Sequence, residues 1–156
     1  MNIFYALSVA LGLICVSACG PSFVVQTPAG FVELNDEWDG YDYRATTADG
    51  LVIAAREIEH KPKGDAAFWL KAIKNSMRDR GGYALLETLQ VQSADGVPGT
   101  QLRFGHDEEG NKPHLYYLTL YVTDDVIVLL EAGGSKKMVT ENAAQIATAV
   151  RSFSVN

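Results

Sequence analysis

Cysteine is almost absent from this chain: of 156 residues only Cys15 and Cys19 carry a thiol. After position 19 there is none, which excludes a disulfide framework, a thiolate metal site and a cysteine nucleophile from the body of the protein. A basic excess is also lacking. Thirteen Lys and Arg stand against 19 Asp and Glu, a net charge of −6, which argues against nucleic acid as a partner and against electrostatic docking on anionic lipid. No internal repeat or low-complexity tract is present. The longest apolar run, Ile3 to Ile14, falls short of the about 20 residues that a membrane-spanning helix needs.

What that run does have is a context. Val16-Ser17-Ala18 leads from it into Cys19, and the whole resembles a bacterial lipoprotein signal, although the amino-terminal region has no Lys or Arg. The resemblance implies cleavage before Cys19 and attachment of diacylglycerol to its sulfur. Each buried methylene then adds about 0.8 kcal/mol and two chains make a stable anchor. An ordinary secretory signal is the rival, because the same small residues suit its cleavage. The expected organisation is residues 1–18 removed, residues 19–21 a lipidated cysteine with a very short tether, and residues 22–156 one domain. A chain of that size buries roughly two thirds of its surface, enough for a core without staples.

Within the domain, Phe23–Thr27 and Phe31–Leu34 read as short strands. Tyr41–Thr47 and Leu51–Ile58 flank the hairpin turn Ala48-Asp49-Gly50. Asp65 is a plausible N-cap, Phe68, Trp69, Ala72, Ile73 and Met77 recur at helical spacing, and Gly81-Gly82 supplies a stop. Tyr83, Leu85, Leu89 and Val91 alternate as in a strand with one buried face. Thr100–Phe104 and His114–Val122 are two further strands. Val126–Leu130 is apolar at every position, which calls for burial on both faces of a sheet. A last amphipathic helix is expected from Val139 to Val150. The resulting class is α+β: an α/β/α sandwich with a mostly antiparallel sheet of about six or seven strands and helices on both faces.

This order resembles the PsbP-like and Mog-like family, which includes DcrB-type bacterial lipoproteins. The resemblance is carried by Phe23-Val-Val-Gln-Thr-Pro-Ala-Gly-Phe31, the hairpin and first helix, a Gly96-Val-Pro-Gly99 turn, the paired aromatic strands, and a final helix running into Arg151-Ser152-Phe153. It implies a non-catalytic accessory or binding protein, and it brings no catalytic residue set with it.

Candidate chemistry is sparse. His106-Asp107-Glu108-Glu109 with His114 could be a metal loop across a hairpin, but the spacing matches no zinc pattern and suits a solvated turn. Glu57 and Glu59 share one side of a strand and could do acid–base work, though a charged strand end explains them. Ser135 follows Gly133-Gly134 without forming a nucleophile elbow and suits a helix cap; the glycine pairs suit helix ends. No catalytic residue, cofactor or metal ligand is therefore assigned. Trp38 and Tyr41, in a turn region, are the candidate partner-binding residues, since aromatics dominate binding hot spots. The expected function is an envelope lipoprotein, held to a bacterial membrane through Cys19, that binds an envelope protein. The alternatives are a carrier or sensor of a small apolar ligand near the bilayer and a metal-dependent hydrolase built on His106 and His114.

Overall fold

Asp65 begins the first helix as expected, its side chain accepting a hydrogen bond from the Phe68 amide at 2.8 Å. The helix ends at Gly82, whose φ of 64° provides the left-handed closing residue. The computed structural model describes residues 21–35, 40–108 and 111–155. In chain order the elements are β1 (Phe23–Val24), β2 (Val32–Glu33), β3 (Tyr43–Thr46), β4 (Val52–Glu59), α1 (Ala66–Gly81), β5 (Ala84–Gln92), β6 (Pro98–Glu108), β7 (Lys112–Val122), β8 (Val126–Ser135), α2 (Lys136–Glu141), α3 (Ala143–Ser152) and β9 (Ser154–Val155). Seven strands form one antiparallel sheet in the order β2-β3-β4-β8-β7-β6-β5, and β1 pairs with β9 in a small second sheet.

The apolar run at the start of β8 behaves as its composition demands. Val128 and Leu130 face one layer, with Ile53, Ala55 and Tyr121, beneath Val139 of α2 and Ile146, Ala149 and Val150 of α3. Ile127 and Leu129 face the other, with Leu102, Phe104, Leu118 and Leu120, beneath Trp69, Leu70, Ile73 and Met77 of α1. Each fully buried side chain of this kind contributes about 1.5–3 kcal/mol. The fold is an α+β, α/β/α sandwich. Tyr121 and Phe153 stack at 4.1 Å and 10°, and Tyr121 donates to the Val150 carbonyl at 2.9 Å, which ties the end of α3 to the sheet.

Four details depart from expectation. The final helix is two: Asn142 donates from its side chain to the Met138 carbonyl at 2.9 Å, closing α2 before α3 starts. Gly133 and Gly134 lie inside β8 and not at a helix end. A Cβ on Gly133 would stand 2.8 Å from the ring of Tyr116, so glycine there makes room for that ring. Ser135 does cap, accepting from the Met138 amide at 3.3 Å. The turn before β6 is Ser93–Gly96, closed by the Val97 amide donating to Ser93 Oγ at 2.7 Å, while Pro98 and Gly99 already belong to the strand.

The fourth departure matters most. Leu85 pairs with Phe104 and Glu87 with Arg103, so Leu86 is an extra residue in a β-bulge. Cross-strand partners share a face. Leu85 therefore lies with Phe104 on the α1 side, while Leu89 and Val91, paired with Gln101 and Gly99, lie on the α3 side. The strand does not bury one continuous face, and as the sheet's edge it leaves Leu85 and Leu86 at 43% and 61% exposure.

Candidate functional site: a tyrosine–arginine cluster around Glu131

Glu131 continues the α1-side phase of Ile127 and Leu129 on β8 but carries a charge, and it is only 4% exposed. A carboxylate so placed is stable only when its oxygens are paired. Its neighbour on β4 and the segment before β3 provide for that. Arg56 donates from Nη2 to one oxygen at 3.0 Å, and the Tyr41 hydroxyl donates to the other at 2.9 Å. Tyr116 stands near enough for the carboxylate's charge to act on its phenol. The Arg56 guanidinium also sits 5.4 Å from the centre of the Tyr41 ring, a cation–π contact. Its Nε is buried and has no protein partner.

The electrostatics hold the two phenols and the guanidinium in their protonated forms. Burial, then the charge of Glu131, push the Tyr116 phenol far above its ordinary value. The same causes in the same order raise Tyr41. For Arg56, burial works against the charge, but Glu131 outweighs it and the net shift is upward. Both phenols therefore keep their protons near neutral pH, and Tyr41 acts as a fixed donor to Glu131. They line a concavity of about 390 Å³ together with Arg44, Val52 and His114, and no α1 residue enters that lining. The arrangement supplies rigid aromatic and cationic surface, the chemistry of a binding hot spot.

Tyr41, then, is half-buried and engaged, not a free turn residue. Trp38 and Cys19 lie outside the described residues. His106 and His114 do stand directly opposite each other across the β6–β7 hairpin. His106 lies 5.0 Å from the Tyr83 ring, and His114 Nδ1 is 3.1 Å from the Lys112 carbonyl. Among the described residues no group of three or more His, Cys, Asp or Glu side chains comes together in a way that could hold a metal. Glu57 accepts from the Ser22 amide and Glu59 pairs with Lys61, so the two carboxylates serve separate contacts. His60 is buried, with Nδ1 2.9 Å from the Thr123 carbonyl, and fastens a loop.

Sequence reasoning missed Glu131 and Arg56. The available signal was a carboxylate in phase with Ile127 and Leu129 at the end of an apolar run, since a charge on a two-sided buried strand needs a partner. The partners themselves lie 75 and 90 residues away along the chain.

A second, larger concavity of about 900 Å³ opens between α1 and β5, floored by Leu70, Tyr83, Leu85 and Phe104. No α1 side chain is fully buried, although Trp69, Leu70, Ile73 and Met77 all rest against the sheet-side core. Among the described residues no helix is long and apolar enough to cross a membrane.

No protein-family model matches the chain, and no curated protein matches it in sequence. Solved structures do match. LpqN of Mycobacterium tuberculosis, involved in cell envelope biogenesis, superposes with a TM-score of 0.73 over 90% of this chain and 87% of its own, at 14% identity. The cyanobacterial PsbP (CyanoP) of Synechocystis sp. PCC 6803 gives 0.62 over 86% and 87%, at 12% identity. The Ran-binding protein Mog1p of Saccharomyces cerevisiae gives 0.61 over 86% and 90%, at 13% identity. The chain has the PsbP/Mog-like fold. At these identities the likeness is one of architecture, and the PsbP/Mog-like sheet is the frame on which this chain places its own Glu131 cluster and α1–β5 groove.

Proposed function

We propose that this chain is a bacterial envelope lipoprotein of the DcrB type, lipidated on Cys19 after removal of residues 1–18, whose domain from residue 22 onward binds a protein partner without catalysis. The observation that carries this is the Glu131 cluster: a buried carboxylate held by Tyr41 and Arg56, with Tyr41, Tyr116 and Arg44 lining the open concavity beside it. Tyrosine and arginine are the residues from which interface hot spots are built, and rigidity lowers the ordering cost of association. Tyr41 presents one edge of that surface, and Trp38 lies three residues before it in sequence. The PsbP/Mog-like neighbours, among them an envelope biogenesis protein and a Ran-binding protein, favour a binding role over an enzymatic one.

The test is a photo-crosslinking residue at Val52, in the cluster's concavity, with the same residue at exposed Lys137 on α2 as control. In cells, Val52 should give a discrete protein adduct that Lys137 does not. Equal adducts from both, or none from Val52, would count against the cluster as the partner site.

A second reading has its own observation. A carrier or sensor of a small apolar ligand needs a large apolar pocket between sheet and helix, and the α1–β5 groove supports it.

A further inference from the structure

We propose that the α1–β5 groove takes an anionic single-chain amphiphile, the tail along Leu70, Leu85 and Phe104 and the head group at Lys71, Lys74 and Arg78; this rests on the carrier reading and names its ligand class. The groove's volume, about 900 Å³, falls within the range of small-molecule sites. Its floor is aliphatic and aromatic, which disfavours a purely polar ligand. Its rim is cationic: Lys71, Lys74 and Arg78 line it from one helix at spacings of three and four, the spacing that puts side chains on one face. No carboxylate lies among the lining residues, in a chain whose net charge is −6. Three cations gathered on an apolar groove of an acidic protein define a complement to one kind of molecule: apolar along its length and negative at its end.

The side chains suit both halves of that ligand. Lysine stems lie along apolar surface while their ammonium groups stay at the water's edge. Arg78 uses Nε on Asp79 at 2.8 Å, an exposed pair of small worth, and lies 3.5 Å from Asn75 through Nη2. From Ala67 to Arg78 the helix runs roughly 16 Å at 1.5 Å per residue, so the rim follows a tail over several carbons. The bulge at Leu86 puts Leu85 on the groove side beside Phe104, and without it that wall would face away.

The experiment is equilibrium binding of a fluorescent long-chain fatty-acid carboxylate below its micellar concentration to the purified protein, with its methyl ester as the uncharged comparator. The carboxylate should bind saturably with one site, and the ester about ten-fold more weakly. Lys71→Glu/Lys74→Glu reverses one exposed and one half-buried charge on the rim and should weaken the carboxylate roughly ten-fold while leaving the ester unchanged. Ala67→Phe, filling the groove from an exposed position on the helix, should abolish both; Leu85→Trp repeats this from the strand side if the first variant fails to fold. Equal binding of acid and ester, both lost on filling the groove, would overturn the anionic assignment and leave the carrier reading standing. Binding of neither probe would overturn both. Attachment to anionic vesicles without saturable binding of the monomeric probe would overturn the proposal in favour of bilayer contact.

Discussion

The Tyr41 hydroxyl donates to the Glu131 carboxylate at 2.9 Å across a sequence separation of 90 residues, joining the segment before β3 to the middle strand of the sheet. On its other oxygen Glu131 holds Arg56, so one buried carboxylate ties together three separate stretches of chain. Removing only the charge should therefore hurt. Glu131→Gln leaves Arg56 against a neutral amide, and because Arg56 is 37% exposed the loss should be about 1–3 kcal/mol, below the figure for a fully buried pair. Replacing both, as Glu131→Leu with Arg56→Met, should restore stability to within about 1 kcal/mol, since apolar pairs of similar volume often match buried ion pairs. Urea melts measure both. The Val52 crosslink should disappear in the double variant although it folds, and a retained crosslink would separate the cluster from partner binding.

Leu129 and Leu130 test the sandwich. They are adjacent on β8, both buried, and belong to opposite cores. Leu129→Ala and Leu130→Ala should each cost about 2–5 kcal/mol in denaturant melts. A sheet with one open face would make only one of them costly.

Alkaline pH should unfold the domain. Burial raises the phenols of Tyr116 and Tyr121 most strongly, with Tyr41 and Tyr43 raised as well. Below about pH 10 these groups hold their protons in both states and stability is unaffected. Above it the unfolded chain releases protons that the native state retains, so stability falls as pH rises. Melts from pH 8 to pH 11 should show a plateau and then a decline beginning near the ordinary tyrosine value. Tyr121→Phe should make the decline shallower, at a cost of about 1 kcal/mol for the lost bond to Val150.

Cys19→Ala separates anchoring from folding. The described core begins at Phe23 and contains no cysteine, so the variant domain should melt like the wild type. It should also lose incorporation of a fatty-acid analogue and, in fractionation, leave the membrane or remain held only by an uncleaved signal. A wild-type protein that takes no label and is wholly soluble would refute the lipoprotein assignment. Where the partner is membrane-bound, the unanchored domain should bind it in isolation but act weakly in cells, having lost effective concentration.

Local signals were legible in the sequence wherever one residue decides the structure. Asp65 and Gly82 bound α1 where capping chemistry places them, and five apolar residues from Val126 announce a doubly covered strand. The Asn142 break was harder to read, because a polar residue between apolar positions is ordinary on an amphipathic helix until its side chain turns back onto Met138. The bulge at Leu86 left no mark, since Tyr83, Leu85, Leu89 and Val91 keep an even spacing through it. The Glu131 cluster was hidden for a different reason: its members meet only once β4, β8 and β7 are side by side.

That bulge gives the length of β5 a meaning separate from its composition. A strand counts in twos, so one surplus residue inverts every position on one side of it relative to the other. Deleting Leu86 would change no side chain in the groove. It would nonetheless oblige the strand to choose, keeping Tyr83 and Leu85 with α1 or Leu89 and Val91 with α3, but not both. Relatives of this protein can accordingly be sorted by arithmetic before chemistry: those one residue shorter between the end of α1 and the Ser93 turn would keep the sheet and lose the wall on which an apolar tail could lie.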